Sequence, residues 1–185
     1  PRGGDFIFNF EDMDVMMHDI DRARSYGMAG IVIGMTHENG ALDVAKLETL
    51  INHAEGMGVT LHRAFDVTPD TSEALEQAIE LGIERILTSG QKETALEGAI
   101  KIKSVIDQAA GRISIMPCSK INPPNVESLL KIFSVSEIHS SCRTLVGSPY
   151  DKNAPSMAPG DDFSRHITDP VKVKALADYL RVIAG

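Results

Sequence analysis

Cysteine is scarce in this sequence: Cys118 and Cys142 are the only two. A pair is too few to staple a disulfide scaffold and suits a reducing compartment. Positive charge is short as well, with 18 Lys and Arg against 26 Asp and Glu, for a formal net charge of -8. No basic block offsets that deficit, which argues against nucleic acid or an anionic membrane as the main partner, because polyanion binding draws on clustered cations. Also missing are an apolar run of the roughly 18 residues that a bilayer span needs and a charged-then-apolar leader. The expectation is a cytoplasmic protein without a membrane partner. Three familiar catalytic signatures are absent too: no nucleophile elbow, no G-x-x-x-x-G-K-[ST] phosphate loop and no H-E-x-x-H pair.

What is present is an ordinary globular composition, 43% hydrophobic and 24% charged over 185 residues, which points to one domain over 1–185 with a single core. Short Val/Ile-rich segments alternate with amphipathic stretches. The strands are expected at Gly30 to Met35, Val59 to Phe65, Arg85 to Ser89, Ile113 to Pro117 and Glu137 to Ser141, with the opening "PRGGDF" as the tail of a sixth. Helices are expected from Glu11 to Tyr26, from Asp43 through Ala54, after a Ser72 cap, after a Thr94 cap, and from Pro170 to Ala184 behind Asp169. The apolar stripe of the fourth is expected at Leu96, Ala99, Ile100 and Lys103. Gly58, Gly82 and Gly111 sit where helices must stop. The segment from Thr144 to Thr168 is rich in Pro, Gly, Ser and Asp without periodicity, so it is expected to be a mobile surface loop.

Repeating β/α units build either an open parallel sheet or a (β/α)8 barrel. Strand count alone favours the open sheet, since a barrel typically takes about 250 residues. In both architectures ligands gather at the carboxyl ends of the strands. All six such ends here are polar or small: "RGGDF", "GMTHENG", "HRAFD", "TSGQ", "PCSKIN" and "HSSCR". If the alternation of a strand continues through "TLHRAFD", His62 and Asp66 face one common mouth. The plain alternative is that each merely hydrogen-bonds the following loop.

These motifs, in this order, resemble the copper homeostasis protein CutC family. The matching stretches are "PRGGDF" (1–6), "GIVIG" (30–34), "HRAFD" (62–66), "LTSGQ" (87–91), "ALEG" (95–98), "MP" followed by "IN" (116–122) and H-x-S-x-R (139–143). The resemblance implies a TIM-type (β/α)8 barrel in which "PRGGDF" closes the third strand. The chain is then an incomplete barrel lacking roughly the first two to three strands, and exposed edges would leave it C-shaped or self-associating as a homo-oligomer. Two stretches depart from the family pattern. Members usually carry "PGGG" where this chain has "PCSK", and alanine is more usual at Cys142.

The resemblance further implies a role in copper handling, with Cu(I) as cargo. Cysteines suggested for copper in animal members lie in the N-terminal strands, which this chain lacks. A local alternative is Cys118 and Cys142 on adjacent strand ends near His139, because soft thiolates suit Cu(I). The plain reading of each thiol is a small buried apolar side chain. Met13, Met17 and Ile20 recur at helical spacing and are expected in the core rather than as a methionine copper site. A competing class is an enzyme acting on a small anionic metabolite, with His62, Asp66 or His139 as acid or base. Its ligand would be held by Arg2, Asp5, Arg63, Ser89, Gln91, Lys120, Asn122 and Arg143. A third is a nonenzymatic scaffold whose mouth is vestigial.

Overall fold

The computed structural model describes residues 3–147 and 164–184. The first helix, α1 (Phe10–Ser25), starts at a reciprocal capping box. Asp12 N–H donates to Asn9 Oδ1 at 2.8 Å and Asn9 N–H to Asp12 Oδ2 at 3.1 Å. Its buried face is Met13, Met16 and Ile20, with the expected Met17 only partly buried against it, so these methionines pack as core. Then follow β1 (Gly30–Ile33), α2 (Val44–His53), β2 (Gly58–Leu61), α3 (Thr71–Glu80) and β3 (Arg85–Thr88). The central part of the chain closes with α4 (Ala99–Ala109), β4 (Ser114–Pro117) and α5 (Pro123–Leu130).

Strands β1 to β4 form one parallel sheet in sequential order. Every unit adds its strand on the same side, so the described sheet has no switch point of the doubly wound kind. In register, Ile33, Leu61, Ile86 and Ile115 make one apolar row, which shares a core with Leu47, Leu50, Leu75 and Ile102 of the helices. One residue back lies the opposite face, with Val32, Thr60, Arg85 and Ser114 in line. That face is polar at its centre. Arg85 grips Glu137 with two donors at 2.9 and 3.2 Å, and the Ser114 hydroxyl donates to the same carboxylate at 3.0 Å.

Among the described residues the sheet does not close into a barrel. Glu137 to Ser141, expected as a strand, is not one; it touches β4 through His139 N–H on the Pro117 carbonyl at 2.9 Å. Beyond it the backbone turns through a left-handed Cys142 (φ 44). The next residues pair elsewhere: β5 (Arg143–Gly147) runs antiparallel to β6 (Ser164–Thr168). The two ends of the segment expected as a loop are therefore a hairpin, and residues 148–163 lie outside the described residues. "PRGGDF" likewise contributes no strand among residues 3–6, although the Phe6 carbonyl accepts from Thr36 N–H at 2.8 Å just past β1.

Three helix expectations change. The cap of α3 is Asp70, which accepts from Ser72 and Glu73 N–H, because the helix begins one residue before Ser72. Thr94 and Glu97 form a reciprocal box at 3.1 Å, but the chain breaks at Gly98 before α4. There the backbone lies so close to Ser89 that a Cβ on Gly98 would stand 1.9 Å from the Ser89 carbonyl oxygen. The buried face of α4 is Ala99, Ile102, Val105 and Ala109, whereas Ile100 is exposed and Lys103 pairs with Asp107. Helix α5 had no counterpart in the sequence reading. The closing helix, α6 (Pro170–Ala184), is capped by Asp169 as expected.

Candidate functional site

Strand β2 ends at Leu61, and the chain then winds into a 3-10 turn, Arg63–Val67. That turn abolishes the strand alternation on which a shared mouth for His62 and Asp66 depended. His62 caps the turn, its Nδ1 accepting from Ala64 N–H at 3.1 Å, so the ring is neutral with its proton on Nε2. Burial lowers its pKa, partly opposed by an interaction with its own backbone that raises it. The ring packs on Phe6 at 4.9 Å and under Gly34, where a Cβ would come within 2.5 Å of it. His62 and Asp5 line a cavity of about 460 Å³ beside β1 and α1.

Asp66 goes the other way. Its carboxylate, 5% exposed, accepts from Thr88 Oγ1 at 2.6 Å, Ser89 N–H at 3.0 Å, Gln91 N–H at 3.1 Å and Arg63 Nε at 2.8 Å. Burial alone would raise its pKa. The Thr88 and Arg63 hydrogen bonds, with those from Ser89 and Gln91 N–H, outweigh that and hold it below the usual carboxylate range. Gln91, at φ 61, also donates to the Thr68 carbonyl at 2.7 Å. Asp66, Ser89 and Gln91 thus knit the ends of β2 and β3 together.

A larger cavity, about 690 Å³, opens past the end of β4. It gathers Arg63, Lys120, Asn122, His139 and Arg143 with both cysteines. Arg2 lies outside the described residues. Cys118 and Cys142 are free thiols, both buried. Burial pushes the Cys118 thiol up, and the Asp66 charge adds to this, against partial relief from Ser119 and Arg63. Ser119 and Lys120, in the stretch that departs from the glycine-rich pattern, have φ of 76 and 56. Such values favour glycine, and each costs of order 1–3 kcal/mol that the surroundings must offset. Lys120 is paired with Glu93. Among the described residues no three His, Cys, Asp or Glu side chains come together as a metal-holding group.

The same cavity is also lined by Thr144, Leu145, His166 and Lys172, none of which sequence reasoning selected. They arrive from the hairpin and from α6. Asp169 N–H binds the Cys142 carbonyl at 3.0 Å, and Lys172 Nζ binds the Arg143 carbonyl at 3.0 Å and Thr144 Oγ1 at 3.2 Å. These contacts span about thirty residues, so no local pattern signals them.

Fold and site define a parallel β/α protein with a polar, thiol-bearing cavity at the end of its sheet. The chain belongs to the CutC family: that family's sequence profile matches residues 1–144. A CutC family protein of Agrobacterium fabrum is 52% identical over 142 residues, covering 77% of this chain. The chain spans only 57% of that relative's length. One from Sinorhizobium medicae is 46% identical over 188 residues, covering 100% of this chain and 75% of the relative. The crystal structure of CutC from Streptococcus agalactiae, a protein named for copper homeostasis, superposes with a TM-score of 0.72 at 31% identity. That match covers 75% of this chain and 68% of the other. Among the described residues no helix is long and apolar enough to cross a membrane.

Proposed function

We propose that this chain serves copper homeostasis by holding Cu(I) between Cys118 and Cys142, with the cavity past β4 as the entrance. The observation that carries this reading is that both thiols line one cavity in a member of the CutC family. Soft thiolates are the ligands Cu(I) prefers, and a two-sulfur site needs no third side chain. Two free cysteines suit a reducing cytoplasm. Because the Cys118 thiol is held above its ordinary pKa, Cu(I) must displace a proton there, and affinity rises with pH. Anaerobic Cu(I) titration against a competing chelator tests this. Tight stoichiometric binding, stronger at higher pH and lost in Cys118→Ser/Cys142→Ser, is expected; weak binding indifferent to the substitutions removes the site.

A second reading is that the cavity takes a small anionic ligand. The cations on its wall favour it. We also read the sheet as an arc of a β/α barrel, supported by its sequential strand order and by the likeness to the streptococcal structure. An open arc leaves strand edges that support self-association.

A further inference from the structure

The charge balance of the β4 cavity points to a particular ligand chemistry. Four basic side chains, Arg63, Lys120, Arg143 and Lys172, line it against one carboxylate, Glu93. Two of the four are neutralised locally, Arg63 by Asp66 and Lys120 by Glu93. The other two are not: among the described residues neither Arg143 nor Lys172 has a carboxylate partner. Lys172 is nevertheless fixed in place, since its ammonium donates to the Arg143 carbonyl and to Thr144 Oγ1. That uses two of its three N–H donors and leaves one. The guanidinium of Arg143 makes no hydrogen bond among the described residues, so its whole donor fork is available.

Two cations without a carboxylate partner among the described residues line this one cavity and give it a positive potential. They do so in a chain whose formal net charge is -8, where carboxylates are plentiful elsewhere. The nearby start of α5 does not supply the anion contacts instead. Pro123 and Pro124 have no N–H, and Asn122 and Asn125 cap each other at 2.9 and 3.2 Å.

We propose that Arg143 and Lys172 form a subsite for a small oxyanion, the phosphate or carboxylate group of a ligand bound in the cavity. Arg143 grips two oxygens through its planar fork, and Lys172 supplies a point charge. The assignment rests on the second reading above and is independent of copper. Lys172 lies beyond residue 144, where the family match ends, so ligand choice at this subsite is set partly by the segment that follows.

The test is calorimetric titration of the full chain with inorganic phosphate and, separately, with succinate, against sodium chloride at matched ionic strength. Arg143→Gln and Lys172→Gln are compared with Lys131→Gln, a cation that pairs with Glu127 on α5 and does not line the cavity. Saturable binding of one of the two anions is expected, weakened about ten-fold or more in each cavity variant and unchanged in Lys131→Gln. The anion preferred tells phosphate from carboxylate. Arg143→Gln removes no hydrogen bond or ion pair among the described residues, so it keeps the test interpretable if Lys172→Gln unfolds. No saturable binding beyond chloride, or equal weakening by Lys131→Gln, overturns the proposal. Phosphate binding retained in Cys118→Ser/Cys142→Ser while Cu(I) binding is lost, or the reverse in the cavity variants, separates its fate from that of the copper site.

Discussion

Asp66 is the residue on which the geometry of the strand ends depends. Donors from its own 3-10 turn and from residues 88–91 at the end of β3 converge on a carboxylate that is nearly inaccessible. Asp66→Asn turns one acceptor oxygen into an NH2 facing donors, and is expected to cost about 2–4 kcal/mol of stability. The charge also sets a pH dependence. Because the folded pKa lies below the unfolded one, Asp66 stabilises above the ordinary carboxylate pKa of about 4, and that stability is lost as pH falls through the folded value. Urea midpoints of both proteins between neutral pH and pH 3 check this: the wild type falls more steeply, and parallel curves contradict the role. The sequence marked Asp66, Arg63 and His62 as chemistry-bearing. It did not reveal that Arg63 turns to Asp66 while His62 faces another cavity, because a 3-10 turn replaces the strand from Arg63 onward.

At the scale of elements, helix faces and strand positions were largely legible because they follow from local periodicity, and the four central strands stand within a few residues of the apolar runs. Caps and edges were less so. Ser72 was expected to cap α3, but the helix begins at Thr71 and its cap is Asp70. Asp70→Ala is therefore expected to lower stability by about 1 kcal/mol and Ser72→Ala by less than about 0.5 kcal/mol. The reverse order in chemical denaturation contradicts the assignment. The stripe expected for α4 ran through Ile100 and Lys103, whereas the buried face runs through Ile102 and Val105. The expected stripe failed because a lysine ammonium has no place in the core. Helix α5 carried a readable signal in Asn122 followed by two prolines, the arrangement favoured at a helix start. Glu137 to Ser141 failed as a strand for a tertiary reason: Glu137 is drawn to Arg85 and Ser114, and the chain turns at Cys142 into the hairpin.

For the whole molecule, the open sheet has consequences. Among the described residues β1 pairs only with β2, and Val32, on the face it shares with Thr60 and Arg85, is 62% exposed. An edge of that kind recruits another strand unless charge blocks it. Sedimentation equilibrium is expected to show concentration-dependent association that Val32→Lys shifts toward monomer; an unchanged distribution excludes β1 as the contact. The cavity, too, belongs to the whole molecule, since its walls come from the loop after β4, the Cys142 turn, the paired strands β5 and β6, and α6. Cys118 was visible in the sequence as a strand-end residue; Cys142, expected at the end of an adjacent strand, stands instead in the turn before β5, and Lys172 came to them only through folding. The central claim is that Cu(I) sits between those two sulfurs. X-ray absorption on the Cu(I)-loaded chain tests it most directly. Copper bonded to two sulfurs, with that signature absent in Cys118→Ser/Cys142→Ser, is the predicted result; copper bound through nitrogen or oxygen, or a sulfur signature that survives the substitutions, contradicts it.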